Sequence, residues 1–209
     1  MKKFLLASLA LLSFGFPAWA DSPVTSTTFS EAYGDLAWVQ AASQNHVLTP
    51  EMGAILTDSQ TPLDQKLALV NALGWKFEGQ QNHQRLLEIL RKNYQQPGAA
   101  PEILPLNGEE KLILGYMMVL DDYFHPRPGL VWVRRGARQL WQYQSAQMVL
   151  AIAEAQDYIN RPKLWCQVWL QTENALENKS LQKDLRPQAV ELIVEYLKLY
   201  QPSCTGEKS

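Results

Sequence analysis

Ten of the thirteen residues from Leu112 to Phe124 are apolar or aromatic. A helix that is apolar nearly all round is a buried one, so the segment at about 109–124 is predicted as the central core helix. Its start is marked: Asn107 can cap, and Glu109 and Glu110 lie where the positive end of the helix dipole favours carboxylates. Its end is marked by Pro126, which biases His125 away from helical angles.

Elsewhere apolar positions recur every three or four residues in stretches punctuated by proline. Ser30 caps a predicted helix from Glu31 to about Ser43. Thr49-Pro50-Glu51 opens a short helix ending near Thr57, and Thr61-Pro62-Leu63-Asp64 opens the next. That second helix carries Leu63, Leu67, Val70 and Leu73 on one side and ends at Gly74. Trp75 and Phe77 then fold back onto the core. A further helix spans about Gln80 to Tyr94. Leu130 to Val133 reads as either a helix start or a short strand, and Arg135 to Ile159 as one helix with Trp141, Met148, Ile152, Ala155 and Ile159 on a common face. A helix around Trp165 and Trp169 follows, and Pro187 opens the last one, which Pro202 stops. Thr205 to Ser209 should be disordered.

The pattern amounts to about eight helices and no convincing pair of strands. The predicted fold is therefore all-α, a compact array that is either a bundle or a HEAT-like α-solenoid. Thr61 to Gly74 resembles one helix of a HEAT-type repeat, with its proline start, apolar face and Ala-Leu-Gly end. The likeness recurs at no fixed period, so it speaks to packing alone. The Pro- and Gly-rich stretch 95–108 is the candidate subdomain boundary within a single domain, 21–209.

The first twenty residues change the picture. Lys2 and Lys3 precede an apolar run from Phe4 to Phe16, and Ala18-Trp19-Ala20 is an Ala-x-Ala cleavage site. This is the signature of a secretory leader, with Asp21 as the first mature residue. The run is too short to span a bilayer, and no longer apolar run follows. The expected location is the bacterial periplasm or the outside. Removing the leader takes out two lysines and no acid, so a formal charge of −2 becomes −4. No clustered basic domain points to nucleic acid. Cys166 and Cys204 are the two cysteines, and in an exported chain they predict one disulfide.

Candidate chemistry gathers after the central helix. Asp121 and His125 are four apart, with Asp122 and Tyr123 between them. On a continuous helix the pair would project from one side, a spacing able to hold a metal or to couple a carboxylate to an imidazole. A metal would draw its remaining ligands from His46, His83 or a distant acid. The commoner use of such carboxylates is structural: pairing of Asp121 or Asp122 with Arg127, Arg134, Arg135 or Arg138 would fasten the corner at Pro126. Those four arginines, interleaved with Trp132 and Trp141, also form a candidate surface for an anionic or saccharide ligand. Against it stands a core role for the tryptophans. No phosphate loop, nucleophile elbow, His-Glu-x-x-His or reactive-cysteine pattern is present, and no cofactor is implied. The sequence points first to a non-catalytic binding or scaffold module for an envelope protein or cell-wall component. The alternatives are a hydrolase or lyase acting on an envelope polymer through Asp121 or Asp122 and His125, and a periplasmic metal-binding protein.

Overall fold

The computed structural model describes residues 22–76 and 79–205. The leader with Asp21, the side chain expected at Phe77, and the tail from Gly206 lie outside the described residues. The fold is all-α: ten α-helices, without a strand among the described residues. They are α1 (Pro23–Ser26), α2 (Ala37–Asn45), α3 (Pro50–Thr57), α4 (Leu63–Leu73), α5 (Asn82–Asn93), α6 (Gly108–Asp121), α7 (Arg127–Gln139), α8 (Gln144–Tyr158), α9 (Trp165–Glu177) and α10 (Pro187–Leu197). Shorter 3₁₀ turns occupy Phe29–Tyr33, Pro162–Leu164 and Lys198–Cys204.

The greasy central segment is α6, and Leu112, Ile113, Leu114, Tyr116, Met117, Val119 and Leu120 are all buried. Its start is a reciprocal capping box. The Asn107 side chain accepts from the Glu110 N–H at 3.0 Å, and Glu110 accepts from the Asn107 N–H at 2.8 Å. Glu109 takes the buried Lys66 ammonium at 2.6 Å, and the Tyr94 hydroxyl donates to Glu110 at 2.7 Å. Burial, helped by the Glu110 carboxylate, pushes the phenol of Tyr94 up to about 12.

Against α6 lies α7, close enough that three glycines form the seam. A Cβ on Gly115 would stand 2.5 Å from the Val133 nitrogen, and one on Gly136 would stand 2.5 Å from the Leu112 nitrogen. Gly129 meets the Gly115 carbonyl oxygen in the same way. The seam turns Leu130, Trp132, Val133 and Ala137 inward, so 130–133 is helix and not strand.

The chain ends meet. α10 packs on the 3₁₀ turn Phe29–Tyr33, and α1 packs on α8. In an open solenoid each helix would touch only its neighbours along the chain, so the array is closed.

Two predicted helices are split. The stretch Glu31–Ser43 becomes a 3₁₀ turn and α2, because the Ser30 N–H is held by Asn71 at 2.8 Å and Arg186 takes the Ala32 carbonyl at 2.9 Å. The stretch Arg135–Ile159 breaks between α7 and α8, because Gln182 donates to the Gln142 carbonyl and accepts from the Gln144 N–H. With the ladder diverted there, Trp141 leaves the expected buried face and stands 60% exposed. Trp75 does fold back, edge-on against Tyr123 at 5.0 Å. Cys166 and Cys204 are joined as a disulfide that ties the last 3₁₀ turn to α9. Thr205 is not loose: its hydroxyl closes a turn on the Pro202 carbonyl at 2.9 Å.

Candidate functional site

α6 stops at Asp121, since Asp122 has a non-helical backbone (φ −136°, ψ 70°). The four-residue spacing from Asp121 to His125 is therefore not a helical one, and the two side chains are not brought together. Asp121 is buried, where a carboxylate at the negative end of a helix needs compensation. It finds this in His83, not in an arginine. Asp121 Oδ2 accepts from the His83 backbone N–H at 2.8 Å and from its Nδ1 at 2.6 Å. The carboxylate thus closes α6 and caps the first turn of α5 at once. His125 turns outward, its side chain 81% exposed, and pairs with Asp122 at 3.1 Å. Neither aspartate pairs with Arg127, Arg134, Arg135 or Arg138. Among the described residues no group of three or more His, Cys, Asp or Glu side chains could hold a metal.

The arginines instead occupy the outward face of α7. Arg127 donates through Nε to Asp157 at 3.0 Å, and Arg134 through Nε to Glu154 at 2.7 Å, both acids on α8. Burial alone would lower the Arg134 guanidinium, but the bond to Glu154 more than offsets it and holds the cation above its ordinary value. Arg135 lies 5.1 Å over the Trp132 ring. Trp132 itself is 5% exposed and belongs to the core, so it drops out of the ligand surface expected of it.

The corner between α6, α7 and the end of α8 encloses a pocket of about 570 Å³. One wall is Tyr123, Phe124 and Pro126; the other is Gln156, Asp157, Ile159 and Arg161. Gln156 fixes this geometry: its Nε2 donates to the Tyr123 carbonyl at 2.9 Å, and its Oε1 accepts from the Val24 N–H at 3.3 Å. Both Arg127 and Arg161 pair with Asp157, so two guanidiniums share one carboxylate. Arg161 is further held by the Asp157 carbonyl and stacks 4.8 Å over Tyr158. Burial pushes the Tyr123 phenol up, and its hydroxyl has no hydrogen-bond partner among the described residues.

Of the residues singled out from the sequence, His125 and Arg127 line this pocket, together with Tyr123. Arg134, Arg135 and Arg138 lie farther along α7. Asp157 and Arg161 were missed: α8 ends at Tyr158, so Arg161 lies in the turn beyond it, where helical spacing gives no signal. No family model matches the chain, and it matches neither a curated protein nor a solved structure.

Chemically, the corner offers a surplus cation beside an aromatic and apolar wall. Such an arrangement can accept an anion and hold an apolar group.

Proposed function

We propose that this protein is a non-catalytic recognition module of the bacterial envelope. In the corner pocket it takes a carboxylate-bearing, partly apolar ligand of the kind that cell-wall material supplies. The observation that carries this reading is Asp157 shared between Arg127 and Arg161 at the mouth of an aromatic-walled cavity. One carboxylate neutralises one guanidinium and leaves the other to meet an anion. Tyr123, Phe124 and Ile159 give the ligand's apolar part a surface. The leader pattern and the cysteine pair support an exported setting.

Calorimetric titration of the chain from Asp21 with N-acetylmuramic acid and with neutral N-acetylglucosamine tests the reading. The carboxylated sugar should bind and the neutral one should not. Arg127→Ala should weaken binding about tenfold, the loss of one charge-assisted hydrogen bond. Equal binding of both sugars, or of neither, would overturn the reading.

A further inference from the structure

The outward face of α7 is a second surface, which meets the pocket at Phe124 and Arg127 and runs away from it along the helix. Arg127, Val131, Arg134, Arg135 and Arg138 recur at three- and four-residue steps and all are exposed. α7 contains no acid, in a chain whose formal charge is −2. Glu154 and Asp157 of α8 offset Arg134 and Arg127. Arg135 and Arg138 face no carboxylate among the described residues. Large apolar side chains accompany the arginines: Val131 on the helix, Phe124 just before it (58% exposed) and Trp141 just after it.

We propose that α7 docks this protein on an anionic phospholipid surface. Phosphate oxygens accept the guanidiniums in pairs, while aromatic rings settle at the depth of the headgroups. An acidic protein would satisfy the arginines yet leave Phe124, Val131 and Trp141 in water unless it carried matching hollows. A headgroup layer moulds itself to a convex helix and accepts both kinds of side chain.

Co-sedimentation of the chain from Asp21 with lipid vesicles is the test. Vesicles of phosphatidylcholine alone should leave it in solution, and vesicles with about 30% phosphatidylglycerol should pellet it at low salt. Raising salt to about 0.5 M should release it. Arg135→Glu and Arg138→Glu, both exposed and outside the pocket, should each weaken pelleting at least fivefold, the worth of one basic side chain near such a surface. Their circular dichroism and sugar titrations should match the wild type, which separates this proposal from the pocket reading. Trp141→Ser should weaken pelleting without changing its salt dependence. Three outcomes would overturn the proposal: no pelleting with anionic vesicles, equal pelleting with both kinds, or pelleting that survives both charge reversals. Capture on immobilised polyglutamate without vesicle binding would overturn it in favour of an acidic protein.

Discussion

Two clusters in this molecule are built from the same three residue types. In one, Arg186 stacks 4.5 Å over Tyr33 and pairs with Asp35, while the Tyr33 hydroxyl donates to Asp64 at 2.9 Å. In the other, Arg161 stacks 4.8 Å over Tyr158 and pairs with Asp157, which also takes Arg127. Each arginine stands before a proline that opens a helical turn, Arg186-Pro187 and Arg161-Pro162. Their surroundings differ. Tyr33 and Asp64 are buried, and Arg186 reaches across the fold to the Ala32 carbonyl and, through its own N–H, to the Tyr33 hydroxyl. That cluster fastens α10 to the start of the chain. The other opens onto a pocket. The same stacked and paired arginine is a clasp where it is enclosed and a binding element where room is left beside it.

The strongest way to separate the two is to cut the disulfide. Cys166→Ser with Cys204→Ser should cost about 4 kcal/mol in the chain-entropy model, lowering the thermal midpoint by roughly 8–16 °C. The disturbance should reach the open cluster only. Trp165 stands beside Cys166, packs edge-on against Tyr200 at 5.7 Å, and donates to the Tyr158 carbonyl at 3.2 Å. Amide exchange should therefore quicken over residues 158–165 before it does over 31–36. Equal loosening of both stretches would erase the distinction.

Next comes removal of one group from each cluster. Tyr33→Phe deletes a buried hydroxyl and strands both the Asp64 carboxylate and the Arg186 N–H, a loss of about 1–3 kcal/mol. Arg161→Ala breaks a partly exposed pair and should cost under about 1 kcal/mol. Denaturant midpoints give both values. If Arg161→Ala proves the more damaging, the open cluster is the clasp.

Much of the fold was legible because helix signals are local. The Asn107 cap, the Thr49-Pro50 start and the Gly74 stop all act within a few residues, and each appears where expected. Errors fell where distant groups intervene. Gln182 splits the predicted helix at 140–143, and Arg186 with Asn71 splits the one at 31–43. The two tryptophans, read alike as core or ligand surface, part company: Trp132 is buried against the glycine seam, and Trp141 is turned outward by the break at 140–143. The candidate site suffered similarly. Asp121 did need compensation, but its partner is 38 residues back in the chain, where no periodicity points. The pocket gathers one helix end, one corner and Ser22 from far back in the chain, and only the corner was conspicuous in advance.

The smallest expected effect concerns the sign of a pH dependence. Burial holds the Asp64 carboxyl above its ordinary value, even though Tyr33, the Gln65 N–H and Arg186 all favour the charged form and Asp184 opposes it. An acid whose pKa is higher in the folded state than in the unfolded one binds more protons when folded, so its contribution to stability falls as pH rises between the two values. Exposed acids such as Asp35 and Asp58 act in the opposite sense. Hydrogen bonds hold them below their ordinary values, from Arg186 to Asp35 and from the Gln60 N–H to Asp58. The total profile therefore rises out of acid while Asp64 runs against it. Asp64→Asn keeps an oxygen for the Tyr33 hydroxyl and removes the charge. Relative to the wild type, this variant should gain stability as pH rises from about 4, near the unfolded pKa of an aspartate. Urea midpoints for the two proteins at pH 3 and pH 7 measure the change. A gap that stays constant would mean that Asp64 carries no burden from burial, and the enclosed cluster would then differ from the open one in position alone.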